Sequence, residues 1–177
     1  SLDVVTRGNT VTALKKALDG KAALNLADGA VKGINIAETI RNVKAKLGVL
    51  KGQQTQAADK AQKTDFTELK ASFLIKNGVA HNDDLSMKSP LLRLTGAGDI
   101  NIGEDSLNYL AKASVVESGK GQGGAELASL KGVTIPVRIS GPFKSPQYNL
   151  DFGGVVTEVV KQKADEAIKG KLKGLLK

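Results

Sequence analysis

The sequence lacks the side chains on which most catalytic and metal-binding chemistry depends. Its 177 residues include no cysteine and one histidine, His81. The lack of cysteine excludes a disulfide framework, a thiolate metal site and a catalytic thiol, and a single histidine excludes a His-rich zinc site. His81 lies near Asp83 and Asp84, but a lone histidine in a predicted turn is typical of a surface polar residue. We therefore expect no catalytic residue, no metal and no cofactor.

Aromatic residues and long apolar runs are also scarce. Aromatics make up 3% of the chain and tryptophan is absent, which indicates an aliphatic core and leaves little surface for stacking bases. No apolar run is long enough for a membrane-spanning helix, and no signal peptide pattern opens the chain. Because the sequence starts without Met, inside an extended segment at residues 1–5, we expect a fragment whose membrane anchor lies upstream.

The net charge of +8 is spread unevenly along the chain. Residues 1–63 carry 11 basic and 5 acidic side chains, residues 64–154 carry 9 and 10, and residues 155–177 carry 6 and 3. A phosphate-binding platform needs its positive charge on the folded surface, whereas here the charge lies in the two flanks. We therefore expect no nucleic acid partner.

The first 51 residues are predicted to form a hairpin with flanking helices. Apolar side chains at helical spacing predict helices over 11–18 and 36–47. Between them, alternating residues on both sides of Asp28-Gly29 predict a β-hairpin with a tight turn at that dipeptide. Residues 52–64 are rich in Gln, Ala, Lys and Thr, a composition that predicts a mobile loop.

Residues 65–154 are predicted to form an antiparallel β core. From Phe66 onward apolar and polar residues alternate with a period of two, and runs of this kind are separated by Gly, Pro, Asn or Asp. Asn77-Gly78 predicts a second hairpin turn. The fold class is therefore mainly β with flanking helices (α+β), a curved antiparallel sheet that forms a groove or a rolled sheet with a C-terminal capping helix, in a single domain over 1–177.

The parity of the predicted strands assigns seven large apolar residues to one common face. Such a face either closes into an ordinary filled core or leaves an open apolar trough, and on the residues alone the filled core is the commoner outcome. The candidate lining residues are Phe73, Ile75, Leu92, Leu94, Ile135, Val137 and Ile139.

Residues 155–177 are predicted to form a basic C-terminal helix by propensity. An amphipathic basic helix can lie on anionic headgroups, or its apolar stripe can cap the open end of the sheet with the lysines in solvent. The stripe drifts around the helix axis, which favours the cap through about Ile168. The candidate membrane or partner contacts are Lys161, Lys163, Lys169, Lys171 and Lys173.

Several motifs resemble the C-terminal domain of the AsmA family, and the resemblance covers most of residues 20–152. The most specific string is Ile-Pro-Val-Arg-Ile-Ser-Gly-Pro at 135–142, which follows the Asn-Gly hairpin in the family's order. The other matching segments are 65–69, 75–78, 82–85, 89–90, 96–100 and 121–124.

The resemblance implies a protein of the Gram-negative envelope. It implies a periplasmic domain held to the inner membrane by an N-terminal anchor, a role in outer-membrane biogenesis, and phospholipid or another acyl lipid moving towards the outer membrane through an apolar β groove. It transfers no catalytic residue. The alternative is a scaffold or assembly module that contacts the outer-membrane surface or an envelope protein without carrying lipid.

Overall fold

A computed structural model of the protein describes residues 1–45, 53–116 and 131–151. Strands far outnumber helices in these residues. The helices are α1 (Val11–Lys16) and α2 (Ile36–Ala45), and the strands are β1 (Leu2–Val5), β2 (Asp19–Gly33), β3 (Gln53–Ala57), β4 (Asp59–Lys76), β5 (Val79–Lys88), β6 (Leu92–Asn101), β7 (Ser106–Val115), β8 (Thr134–Pro142) and β9 (Gln147–Asp151).

The nine strands form one antiparallel sheet in the order β1-β2-β4-β5-β6-β7-β8-β9-β3. From β4 to β9 each strand pairs with the next one along the chain. This meander confirms the predicted antiparallel core. The Asn77-Gly78 turn is also confirmed, since both residues have the positive φ angles, 48° and 76°, that a tight hairpin turn requires.

The sheet curls until its β3 edge reaches the start of β4. Ala58 alone separates β3 from β4 in sequence, although the two strands lie far apart in the strand order. The Ala58 amide donates to the Pro146 carbonyl at 3.1 Å, which joins this corner to the β8–β9 connection. The β9–β3 edge therefore meets the ribbon formed by β2 and β4, and the sheet is rolled rather than flat.

Helix α2 leaves the end of β2 and covers part of the concave apolar face. Asn35 caps the helix, because its side-chain oxygen accepts from the Glu38 amide at 3.0 Å. Buried Thr64 on β4 ties down the first turn: its hydroxyl accepts from the Ile36 amide at 3.1 Å and donates to the Ile34 carbonyl at 2.8 Å. These bonds fix where the helix starts on the sheet.

The core lies between α2 and the concave face. Its residues come mainly from the helix and from β4 to β9, with Ile34 and Val133 from the segments just before α2 and β8, and most are aliphatic, as the composition predicts. The buried cluster comprises Ile34, Ile36, Ile40, Phe66, Met87, Leu92, Leu94, Ala111, Ala113, Val115, Val133, Ile135, Val137, Tyr148 and Leu150.

The hairpin predicted at Asp28-Gly29 is wrong. Strand β2 runs without a break through both residues and pairs along its length with β4, Ala27 opposite Glu68 and Gly29 opposite Phe66. Asp28 adopts φ 48°, the left-handed conformation that is typical of a tight turn. Here this conformation kinks the strand and does not reverse the chain. The long ladder to β4 outweighs the local turn preference.

The core-facing residues on the two sides of this kink are three positions apart, not two or four. The apolar face nevertheless stays continuous across it. Leu26 and Gly29 both face the core side of β2, and on β4 Leu69 and Phe66 do the same. Gly29 is required by packing, because a Cβ there would lie 2.5 Å from the Phe66 ring. Glycine therefore serves the close approach of an aromatic ring and not a reverse turn.

The mobile loop predicted for residues 52–64 is also wrong for the residues that the structure describes. Residues 53–57 form β3 along β9, and residues 59–64 begin β4. A composition poor in large apolar residues limits the apolar area these segments can bury, but backbone pairing to neighbouring strands holds them in place. The predicted helix over 11–18 is confirmed as α1, a little shorter than expected, with Thr10 as its N-cap.

Candidate functional site

The concave face is left uncovered beside β1 and β2. Leu24 and Leu26 lie on the same face as the core, because they pair with Ala71 and Leu69, yet they remain 44% and 46% exposed. Leu2, paired with Ala22, extends this surface to the edge and is 69% exposed. Together with half-buried Phe73, which pairs with Ala22, these three leucines form what we call the apolar strip.

The apolar strip continues directly into the packed core. Leu69 beside Leu26 contacts the core cluster, and Ala71 beside Leu24 is 5% exposed. No charged side chain interrupts the face between these residues. The result is one apolar surface that is closed beneath α2 and open towards β1.

The seven lining residues predicted from strand parity all lie on this concave face. Their alternation with exposed neighbours and their cross-strand pairing, for example Leu94 with Ala113 and Ala113 with Ile135, place them together. Their accessibility differs, however. Leu92, Leu94, Ile135 and Val137 are at most 5% exposed within the core cluster, Ile139 packs against that cluster, Ile75 is buried, and Phe73 is half-buried.

Sequence reasoning missed the residues that are open. Leu24 and Leu26 alternate with polar or small residues in the sequence, but the turn signal at Asp28-Gly29 predicts a short hairpin for them instead of the long strand beside β4. The sequence does contain a signal for them. If Asp28 is taken as a kink and not a turn, Ala22, Leu24 and Leu26 alternate in step with the inward-facing residues of β4. Their exposure depends on which residues α2 covers, and no local pattern contains that information.

A hydrogen-bonded polar cluster interrupts the pairing of β4 and β5 at the middle of the face. The β4–β5 register shifts between Lys70 and Leu74, and the β5–β6 register shifts between Asn82 and Leu85. At the β4–β5 interruption the Asp84 carboxylate replaces the missing backbone pairing. It accepts from the Ser72 amide at 2.7 Å, the Ser72 hydroxyl at 2.6 Å and the Asn82 side-chain amide at 2.6 Å. The Tyr109 hydroxyl donates to the buried Asn82 side-chain oxygen. Every member is partnered, so the cluster is a bend in the sheet and not a reactive centre.

Two pKa shifts follow from this cluster. The hydrogen bond from the Ser72 hydroxyl, followed by that from the Ser72 amide, lowers the pKa of Asp84. Burial raises the pKa of Tyr109 to about 12, and the charges of Asp84 and Asp83 act in the same direction. At neutral pH Asp84 is therefore an anion and Tyr109 a neutral donor, which are the states that the hydrogen bonds need.

Outside that cluster the described residues offer little for chemistry. His81 is exposed and its Nδ1 lies 2.7 Å from Asp99 Oδ1 on the next strand, a surface contact away from the concave face. In residues 1–45, 53–116 and 131–151 no group of three or more His, Cys, Asp or Glu is placed to hold a metal ion. None of the helices in these ranges is long and apolar enough to cross a membrane.

The predicted contacts in the C-terminal tail, Lys161 to Lys173, lie outside the described residues. The same holds for the tail helix and its two alternative roles. The basic groups of α1, by contrast, are described: Lys15 pairs with Asp105 at 2.5 Å and Lys16 with Glu104 at 2.6 Å. These pairs attach α1 to the turn between β6 and β7.

Comparison with known proteins agrees with the resemblance seen in the motifs. The model of the AsmA family matches residues 1–85. Protein AsmA of Escherichia coli (strain K12) is 24% identical over 131 residues, which are 74% of this chain and 21% of that protein. The chain thus spans about a fifth of the length of this relative. No solved structure matches significantly.

The two matches cover different but overlapping parts of the chain. The family model covers the part of the chain from β1 through β4 and into β5, whereas the alignment with the curated relative extends over three quarters of the residues. On this basis the chain is similar to AsmA-family proteins over these residues.

Proposed function

We propose that the apolar strip is an acyl-chain contact surface, through which this chain takes part in moving phospholipid between the two membranes of a Gram-negative envelope. Similarity to the AsmA family supports an envelope-associated role. Passage of lipid, a periplasmic position and an anchor in the inner membrane are part of the proposal.

The observation that carries the proposal is the exposure of Leu24 and Leu26 on the core side of the sheet. Leucines on a concave face are normally buried, and these two are close to half exposed. They adjoin Leu2 and Phe73, so the exposed area is continuous instead of scattered. Contiguous exposed apolar surface marks sites of lipid, membrane or protein contact.

The chemistry of the strip fits a hydrocarbon chain. Leucine and phenylalanine side chains offer no hydrogen bond, and each acyl CH₂ transferred from water contributes about 0.8 kcal/mol. Several such groups against the strip would give binding without any specific polar partner. The polar side chains of the cluster around Asn82 bond to one another, so the cluster needs no ligand to complete its hydrogen bonds.

The experiment compares lipid transfer by two matched double variants. Leu24→Gln with Leu26→Gln alters the strip, and Leu74→Gln with Phe143→Gln alters similarly exposed apolar residues elsewhere, since Leu74 and Phe143 are 49% and 38% exposed. The rate at which the chain moves a fluorescent phospholipid between phosphatidylglycerol-containing vesicles is measured. We expect the first variant to lose most of the transfer and the second to keep it.

Transfer that is equal in both variants would contradict the proposal and favour the scaffold alternative. Circular dichroism and the urea midpoint of each variant show whether the fold is retained. Because the altered leucines are already exposed, we expect both variants to fold.

A further inference from the structure

Helix α1 has little support of its own. It contains six residues, and none of them is buried. Val11 and Leu14 are 71% and 37% exposed. Helices shorter than about 12 residues are not stable in water by their own hydrogen bonds. The helix therefore stays in place through its contacts with the rest of the molecule.

One side of α1 contacts the segment that follows β1. The Thr6 hydroxyl donates to the Leu14 carbonyl at 2.5 Å, and Thr6 comes directly after Val5, the last residue of β1. Thr10 caps the helix, because its side-chain oxygen accepts from the Ala13 amide at 3.1 Å. The end of β1 is therefore tied to the position of the helix.

The other side of α1 contacts the turn between β6 and β7 through two ion pairs. Lys15 Nζ lies 2.5 Å from Asp105 Oδ1, and Lys16 Nζ lies 2.6 Å from Glu104 Oε1. The stem of Lys16 also lies against Gly103, since a Cβ at Gly103 would be 3.2 Å from Lys16 Cγ. The four charged side chains are 35% to 61% exposed, so salt in the solvent can screen both pairs.

These contacts join parts of the sheet that the strand order separates. Strand β1 is first in that order, and β6 and β7 are fifth and sixth, so no ladder connects them. The Gly78 amide, in the turn between β4 and β5, donates to the Leu18 carbonyl at 2.9 Å, but this bond lies beyond the end of the helix and holds the start of β2. The link from the helix to the β6–β7 turn depends on Lys15 and Lys16.

We propose that α1 is an electrostatic strap: its two ion pairs keep β1 in place, and screening them frees β1 and widens access to the apolar strip. One exposed ion pair is weak, but two of them act together here on a helix without a buried side chain. Leu2 on β1 is the outermost residue of the strip, so movement of β1 changes the border of that surface. Release of α1 depends only on the contacts of the helix, whereas its effect on lipid access rests on the proposed function.

Three backbone amides report on the strap by hydrogen exchange. The Leu14 and Ala17 amides report on the helix, because they bond to carbonyls one turn earlier at 2.9 and 3.0 Å. The Lys21 amide reports on β1. It points to the same side of β2 as the Ala23 amide, which donates to the Ser1 carbonyl at 2.9 Å.

Salt should release the strap. Raising the sodium chloride concentration from about 10 mM to about 1 M shortens the screening length from about 30 Å to about 3 Å. We expect the three reporter amides, those of Leu14, Ala17 and Lys21, to exchange about threefold to tenfold faster. The amide of Ala113, which is fully buried in β7, should change little.

Neutralising the acids of the β6–β7 turn should have the same effect at low salt. In Glu104→Gln with Asp105→Asn both ion pairs are lost, and asparagine accepts the φ of 51° that Asp105 adopts. Glu68→Gln is the matched control, because Glu68 holds Lys70 and Lys88 in exposed ion pairs elsewhere on the sheet. We expect the first variant to free all three reporter amides without added salt and the second to leave them slow.

Two results would overturn the strap. If salt and the double variant both leave the Leu14 and Ala17 amides slow, the ion pairs do not hold α1. If these two amides become fast and the Lys21 amide does not, the helix opens without freeing β1.

A disulfide across the same contact separates the strap from the lipid proposal. Lys16→Cys with Gly103→Cys places two cysteines within bonding range, since a Cβ at Gly103 would lie 3.2 and 3.5 Å from Lys16 Cγ and Cα. The chain has no other cysteine. We expect the oxidised form to keep the reporter amides slow at about 1 M salt and reduction to free them.

The same two forms test the effect on lipid. At high salt the reduced form should transfer a fluorescent phospholipid between phosphatidylglycerol-containing vesicles faster than the oxidised form. Equal transfer would contradict the control of lipid access by the strap. Absence of transfer in both forms would count against the proposed function alone, because the exchange of the reporter amides needs no lipid.

Discussion

The concave face of the sheet has two regions built from the same kind of sequence but exposed to different degrees. Beneath α2, residues such as Leu92, Ile135 and Leu150 are fully buried. Beside β1, Leu24 and Leu26 occupy equivalent inward positions and are close to half exposed. Both regions alternate aliphatic with polar residues, so the alternation itself does not decide which leucine is buried.

What decides burial is the element that lies across the face. Helix α2 starts at the end of β2, where Asn35 and Thr64 hold its first turn, and its residues Ile36 and Ile40 belong to the buried core cluster. Helix α1 has six residues and attaches to the β6–β7 turn through Lys15 and Lys16. One part of the face is thus a structural core, and the other keeps apolar side chains exposed.

Truncating one leucine to alanine in each region should give the clearest difference in stability between the two regions. Leu92→Ala removes a side chain that is 0% exposed, and we expect it to lower the free energy of unfolding by about 2–5 kcal/mol. Leu24→Ala should cost about 1 kcal/mol or less, because almost half of that side chain is already in water. Urea denaturation measures both. Similar losses in the two variants would show that the strip is packed like the core.

The boundary between the two regions is tested at Gly29, which lies beneath the Phe66 ring. Gly29→Ala forces the ring or the strand to move, since the new Cβ would lie 2.5 Å from the ring, and we expect a loss of about 1–3 kcal/mol. In a Phe66→Leu background the same substitution should cost much less. A cost that is unchanged by Phe66→Leu would show that backbone conformation, not the ring, requires glycine there.

The smallest expected effect concerns pH and the polar cluster at the middle of the face. The pKa of Asp84 is lowered in the folded chain, so its contribution to stability is present above the unfolded pKa of about 3.9 and is lost as the pH falls through the folded pKa. Asp84→Asn should therefore reduce the fall in urea midpoint between about pH 5 and pH 2. An unchanged pH dependence would show that Asp84 is not the group that titrates.

Much of the fold follows from local patterns because its pairing is local. The strands from β4 to β9 are sequence neighbours, and a period of two with Asn-Gly between strands predicts such a meander. Residues 36–45 follow from their helical spacing. The shared face of the seven lining residues follows from parity alone.

The errors concern long-range pairing. Asp28-Gly29 carries a strong local turn signal, yet β2 pairs with β4 from Gly20 to Gly33 across the inserted helix α2 and strand β3. Residues 53–57 have no alternation of large apolar residues and become a strand only because β9 lies beside them. The open strip was missed for the same reason, since exposure depends on where α2 crosses the sheet.

The central claim is that acyl chains contact the uncovered strip, and site-specific photocrosslinking tests it most directly. A photoreactive amino acid replaces Leu24 or Leu26 on the concave face, or Leu74 on the opposite face, where the exposure is 49%. After incubation with phosphatidylglycerol vesicles, mass spectrometry detects the lipid adduct. We predict adducts at Leu24 and Leu26 and little or none at Leu74. Equal labelling at all three positions, or labelling at Leu74 alone, would contradict the account.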